Sequence, residues 1–225
     1  MGLQAIDWIG RTLRKAGTEI LRRNGFQGTW IDVGAHLGEL TLWHAQHNPG
    51  LRVFALEPNL RAAAALMGRA ANYMVIPMAV SERDGAADFH VNEYEEANSL
   101  LPFHEEGLRA WIGGHVLKVE SIVTVPTIRL DTLMALMGID RVDFLKIDTQ
   151  GMDLAVLKSA GHRLRDISKI TLEVAVTPLP LYVGAPSKDE VVSFLADAGF
   201  ALHDVKSQTE GQEEILTFVR NPLAA

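Results

Sequence analysis

The stretch that most constrains this chain is Trp30-Ile31-Asp32-Val33-Gly34-Ala35-His36-Leu37-Gly38. A short apolar run, broken by an acid, turns through two glycines into a helical pattern. Strand, tight glycine turn and helix start are the opening of a nucleotide-type site in α/β folds. About 20 residues further on, Val53-Phe54-Ala55-Leu56 ends in Glu57-Pro58. An acid at the tip of a second strand suits a ribose, because a carboxylate accepts hydrogen bonds from both hydroxyls. Its other reading is a surface acid that caps the next helix. A Gly-x-Gly-x-x-Gly loop would favour a dinucleotide, but here the spacing is Gly34-x-x-x-Gly38.

The following pattern alternates strand and helix. Strands are expected at 29–33, 52–56 and 73–80, with helices at 39–46 and from Asn59 to residue 71. The third strand is nearly all apolar, as in a sheet buried on both faces. Crossover helices between such strands indicate a parallel, doubly wound α/β sheet. The rhythm then changes. Residues 85–128 read as an antiparallel excursion with a less regular middle, the kind of long connection that often forms a binding loop. The wound pattern resumes with a helix capped by Asp131, strands at 142–147 and 169–174, and a helix at 188–198 stopped by Gly199. Strands at 200–205 and 215–220 follow without a helix between them, which implies an antiparallel hairpin at the sheet edge.

Length and composition set outer limits. A chain of 225 residues fits a single domain over 25–225, with the excursion as an insertion and residues 1–24 as a separate amphipathic helix. In that helix Leu3, Ile6, Ile9, Leu13, Ala16 and Ile20 form one stripe beside several basic residues. It is read as packing on the domain or over the site, with a membrane-surface contact or a partner helix as alternatives; a homo-oligomer is a separate option for the chain. The net charge of −7 argues against a general nucleic-acid binder. The absence of cysteine excludes disulfides, thiolate metal sites and a cysteine nucleophile. No run approaches the ~18 apolar residues of an integral membrane span, and a cytoplasmic enzyme is the expectation.

Several ordered segments together resemble the FkbM-type S-adenosylmethionine-dependent methyltransferases. They are Ile31 to Gly38, Ala55-Leu56-Glu57-Pro58, Ala79-Val80-Ser81-Glu82-Arg83-Asp84-Gly85, Leu130-Asp131-Thr132-Leu133, Asp143-Phe144-Leu145-Lys146-Ile147-Asp148, Gly151 and Val156-Leu157-Lys158. The resemblance implies a Rossmann-like class I methyltransferase sheet of seven strands, the last reversed, and S-adenosyl-L-methionine as cofactor. Two positions depart from the family pattern. His36 stands where Asn is usual. Lys146-Ile147-Asp148-Thr149-Gln150-Gly151 replaces a usual Lys-Ile-Asp-Val-Glu-Gly, exchanging an acid for an amide beside the expected reaction centre.

On this resemblance, Gly34, His36 and Gly38 belong to the turn under the methionine part of the cofactor, near a helix start whose free N–H groups suit a carboxylate. Asp32 either binds the cofactor's amino group or fixes the turn through the backbone. Glu57 is assigned to the ribose, and Ala79 and Ser81 to the flank of the adenine. Methyl transfer to a hydroxyl needs alignment and a group that takes the proton. Asp148 and Glu173 end adjacent strands and are the candidate catalytic pair, with a cofactor contact as the alternative for Asp148. His36, His90, His104 and His115 are weaker candidates for a base, and Phe103 and Trp111 for a cover. No metal is assigned, because no close-spaced ligand motif occurs. The acceptor is expected to be a small molecule or carbohydrate, shaped by residues 92–118 and 177–187. An NAD-dependent oxidoreductase and a non-catalytic cofactor-binding module are the alternatives.

Overall fold

Apolar residues in the strands alternate between two buried faces, and each face has its own helices. A computed structural model describes residues 25–221; the amphipathic helix expected at residues 1–24 lies outside the described residues. In chain order the structure runs β1 (Gly28–Val33), α1 (Leu42–His47), β2 (Leu51–Leu56), α2 (Leu60–Leu66), β3 (Tyr73–Ile76), β4 (Ala79–Val80) and β5 (Gly85–Asn92). It continues with α3 (Glu105–Ala110), β6 (Val119–Ile128), α4 (Leu130–Leu136), β7 (Phe144–Ile147) and α5 (Asp153–Ser159). It closes with β8 (Lys169–Ala175), α6 (Lys188–Asp197), β9 (Phe200–Gln208) and β10 (Glu213–Arg220).

The main sheet has seven strands in the order β3-β2-β1-β7-β8-β10-β9. The first five are mutually parallel, and β10 runs antiparallel to both β8 and β9. Ile31, Val33, Leu145 and Ile147 face one core with α4, α5 and α6, supplied by residues such as Leu133, Val156 and Leu195. Trp30, Val53, Ala55 and Phe144 face the other, with Leu42, Ala45 and Leu66 of α1 and α2. This is a doubly wound sheet, and its switch point lies between β1 and β7, where a crevice opens beyond the carboxyl ends of the strands.

Several boundaries differ from the sequence reading. The run 73–80 is two strands, not one. The chain leaves the main sheet at Pro77 and Met78, and β4 pairs with β6 in a three-stranded sheet of order β4-β6-β5. Asp131 does not cap α4. Arg129 occupies the cap position, and Asp131 pairs with its guanidinium at 2.7 Å. Helix α1 starts at Leu42 rather than near residue 39, because Glu39 reaches back to the turn, accepting from Leu37 N–H at 3.2 Å and meeting the His36 ring. Helix α6 carries a full capping box, with Ser187 and Glu190 each bonded to the other's backbone N–H.

Candidate active site

A cavity of about 240 Å³ lies over the carboxyl ends of β1, β2, β7 and β8. Its roof comes from β5, the 3-10 turn Glu95–Ala97, and Trp111 to Leu117. Of the candidate residues, Gly34, His36, Glu57, Ala79, Asp148 and Glu173 are on its wall. Asp32, Gly38 and Ser81 are not.

The first turn is tightly determined. Gly34 has φ +73°, and a Cβ there would sit 1.8 Å from the Asp148 carbonyl oxygen. The demand for glycine therefore comes from the approach of the segment after β7. Gly38 is packed from behind, where a Cβ would lie 2.8 Å from Leu42 Cβ and 2.9 Å from Leu66 Cδ2. Asp32 is 1% exposed. Its carboxylate accepts from Thr41 Oγ1 at 2.5 Å and pairs with Lys146 Nζ at 3.1 Å. The pair follows from register, since Asp32 and Lys146 are direct partners across β1 and β7. Burial raises the Asp32 carboxyl above the usual range, against the opposing pull of Lys146 and Thr41. Lys146 also donates to the Gly34 carbonyl at 2.5 Å and lies 3.6 Å from Asp148 Oδ2. It thus ties together the tips of β1 and β7. A lone lysine inside an apolar strand was its sequence signal, and the motif reading gave it no role.

At the β2 tip, Glu57 is 6% exposed. Oε2 accepts from His36 N–H at 2.7 Å and Oε1 from Asn59 N–H at 2.8 Å. Burial pushes its carboxyl up, opposed by these N–H groups. The cap of α2 is Asn59, not Glu57. His36 has φ +45°. Its Nδ1 is 2.8 Å from Glu39 Oε1, and Nε2 is 3.9 Å from Glu95 Oε2 in the roof. Burial pulls the imidazole down, but Glu39, Glu96 and Glu57 outweigh it and raise it above the ordinary value.

The two candidate catalytic acids do come together. Gln150 Nε2 donates to Asp148 Oδ1 at 2.9 Å and to Glu173 Oε2 at 3.0 Å. Burial, then Glu213, Asp148 and Asp153, drive the Glu173 carboxyl well above its usual range, and the Gln150 bond opposes them. Glu213 and Asp153 are themselves pushed up to about 7, chiefly by burial. Trp111, Leu181 and Tyr182 form an apolar wall facing these acids. Phe103 stands behind it, stacked on Tyr182 at 5.2 Å. Of the four candidate histidines, His36 alone is on the cavity wall. His104 caps α3 by accepting from Gly107 N–H, His90 lies in β5, and His115 is exposed. Among the described residues no three His, Asp or Glu side chains are arranged to hold a metal ion, and no helix is long and apolar enough to cross a membrane.

Six strands that run one way, a reversed β10 between two of them and a cavity at the switch point define the Rossmann-like fold of class I S-adenosylmethionine-dependent methyltransferases. The chain belongs to the FkbM methyltransferase family, whose domain matches residues 32–202; its cofactor is S-adenosyl-L-methionine. A 2-O-methyltransferase, NoeI of Sinorhizobium fredii, is 26% identical over 145 residues, covering 60% of this chain. The matched segment spans 58% of that relative's length. Two solved structures share the fold with a TM-score of 0.53 each. M. capricolum TrmK, in complex with S-adenosyl-homocysteine, is 8% identical over 93% of this chain and 68% of that one. Aeropyrum pernix fibrillarin, with bound S-adenosyl-L-methionine, is 13% identical over 93% of this chain and 74% of that one. Nothing in these likenesses favours the NAD reading.

Proposed function

We propose that this chain is an O-methyltransferase acting on a hydroxyl of a small molecule, sugar or glycan-linked acceptor. The observation that carries this reading is the pair of carboxylates, Asp148 and Glu173, brought together by Gln150 beneath the cavity. The residues fit the cofactor. Each oxygen of Glu57 has a single backbone N–H partner, so each keeps acceptor capacity for a ribose hydroxyl. The cofactor's amino acid end would lie over the Gly34–His36 turn, and its adenine beside Ala79. Asp32 serves the turn: it is buried behind the wall and engaged by Thr41 and Lys146.

When bound, S-adenosylmethionine supplies an electrophilic methyl group on a sulfonium. The protein's part is to align an acceptor oxygen, exclude water and receive a proton. Asp148 takes the proton from the acceptor hydroxyl and leaves an oxygen nucleophile in place. Glu173 holds a neighbouring hydroxyl. The Trp111, Leu181 and Tyr182 wall covers the apolar face of the acceptor and keeps the site dry.

The test is transfer of labelled methyl from S-adenosylmethionine to a panel of methyl glycosides, free sugars and phenols. Asp148→Asn is expected to lower turnover about 100-fold or more, with retained folding and S-adenosylhomocysteine binding. Near-normal turnover of Asp148→Asn would remove its role as base. Cofactor binding with no transfer to any hydroxyl would favour the non-catalytic module instead.

A further inference from the structure

Gln150 touches both acids of the reaction just described and is itself held from two other segments. Its backbone has φ +53°, a left-handed conformation that a non-glycine residue keeps only when its surroundings impose it. Ser99 Oγ, from the roof, donates to the Gln150 carbonyl at 2.7 Å. The Tyr182 hydroxyl, from the segment before α6, lies 3.1 Å from Gln150 Oε1 and 3.0 Å from the Ala97 carbonyl. Tyr182 has one hydroxyl proton for these two acceptors, so the two carboxyl groups rather than Tyr182 set which end of the side-chain amide faces them. Its nitrogen then points at the acids and uses both protons, one on Asp148 and one on Glu173. A primary amide has two donors, and both are spent here. An ionised glutamate in the same position would have none to give and would add a third negative charge.

We propose that Gln150 is a positioning residue: its amide clamps Asp148 and Glu173 side by side, and Tyr182 and Ser99 hold the residue in place. Its purpose rests on the O-methylation reading; its geometry does not. The exchange of an acid for an amide at this position therefore equips the reaction centre rather than degrading it. The groups that face Glu173 are Glu213 on β10, Asp148 after β7, Asp153 at the head of α5 and the Tyr182 phenol. Lys146 stands on the far side of Asp148. Against three neighbouring acids, the Gln150 donor favours the ionised form of Glu173.

The test is a carbon-13 NMR titration of the Glu173 carboxyl in the full chain saturated with S-adenosylhomocysteine. The resonance is assigned with Glu173→Gln. Gln150→Glu and the similarly sized, donor-free Gln150→Leu are each expected to raise the proton affinity of Glu173 about tenfold. Tyr182→Phe keeps both amide donors but removes one support of the side chain, and gives a smaller rise in the same direction. It decides the matter if the Gln150 variants do not fold. A merely structural Gln150 would change the melting temperature and leave the titration midpoint where it was, and that result overturns the clamp. The reaction reading is tested separately by methyl transfer in the wild type. A wild type that methylates no hydroxyl while the Glu173 midpoint shifts as stated defeats that reading and keeps the clamp. An active wild type with an unmoved midpoint does the reverse.

Discussion

Glu57 combines two jobs in one carboxylate. It accepts the N–H groups of His36 and Asn59, so it fixes the turn after β1 and the start of α2, and it faces the cavity. Glu57→Ala is expected to weaken S-adenosylhomocysteine binding by about 1–3 kcal/mol, the cost of leaving hydroxyls unpaired, as measured by calorimetry. Unchanged affinity would remove the ribose assignment. At this scale the sequence was informative where a residue's task is local. Glu57 at a strand tip and Gly34 at a turn were both legible. Asp32 was open between a ligand and a turn-fixing role because its partner, Lys146, is remote in sequence and is found only through the β1–β7 register. The contacts of Gln150 were hidden for the same reason: Ser99, Glu173 and Tyr182 reach it from three other segments.

The β1–β7 pair is the element on which the site stands. Lys146 binds Asp32, the Gly34 carbonyl and Asp148 from one position on β7. Truncating one partner of a buried ion pair leaves the other charge uncompensated. Lys146→Met is therefore expected to destabilise the protein by about 3–5 kcal/mol in denaturant unfolding, and a loss under 1 kcal/mol would show that Asp32 finds another partner. The parallel strands, their helices and the closing hairpin were readable from apolar runs and their spacing. The break at Pro77 and Met78 was not, because Val75, Ile76, Ala79 and Val80 are all apolar on either side of it. An apolar run shows that a strand is buried but not in which sheet. The start of α1 was missed because Glu39, a good helix former, is spent on the preceding turn.

The whole molecule keeps a group of acids inside. Asp153 and Glu213, both near 7, are favoured in their neutral forms. A carboxyl raised in the folded state contributes stability that is fully present below its unfolded value of 4.5 and lost as pH rises through about 7. Stability should thus fall between about pH 5 and pH 8. Glu213→Gln, which keeps an acceptor for the Thr209 hydroxyl, is expected to raise the melting temperature relative to wild type by about 3–6 °C more at pH 8 than at pH 5. An equal effect at both pH values would rule out this titration as the cause. Strands β4 and β6 are parallel neighbours, with Ala79 opposite Thr127 and Val80 opposite Ile128. The excursion that roofs the cavity therefore leaves and rejoins the main fold at one place. A segment with adjoining ends can change length at small entropic cost, so the excursion behaves as a cassette whose length can vary without disturbing the seven-stranded sheet.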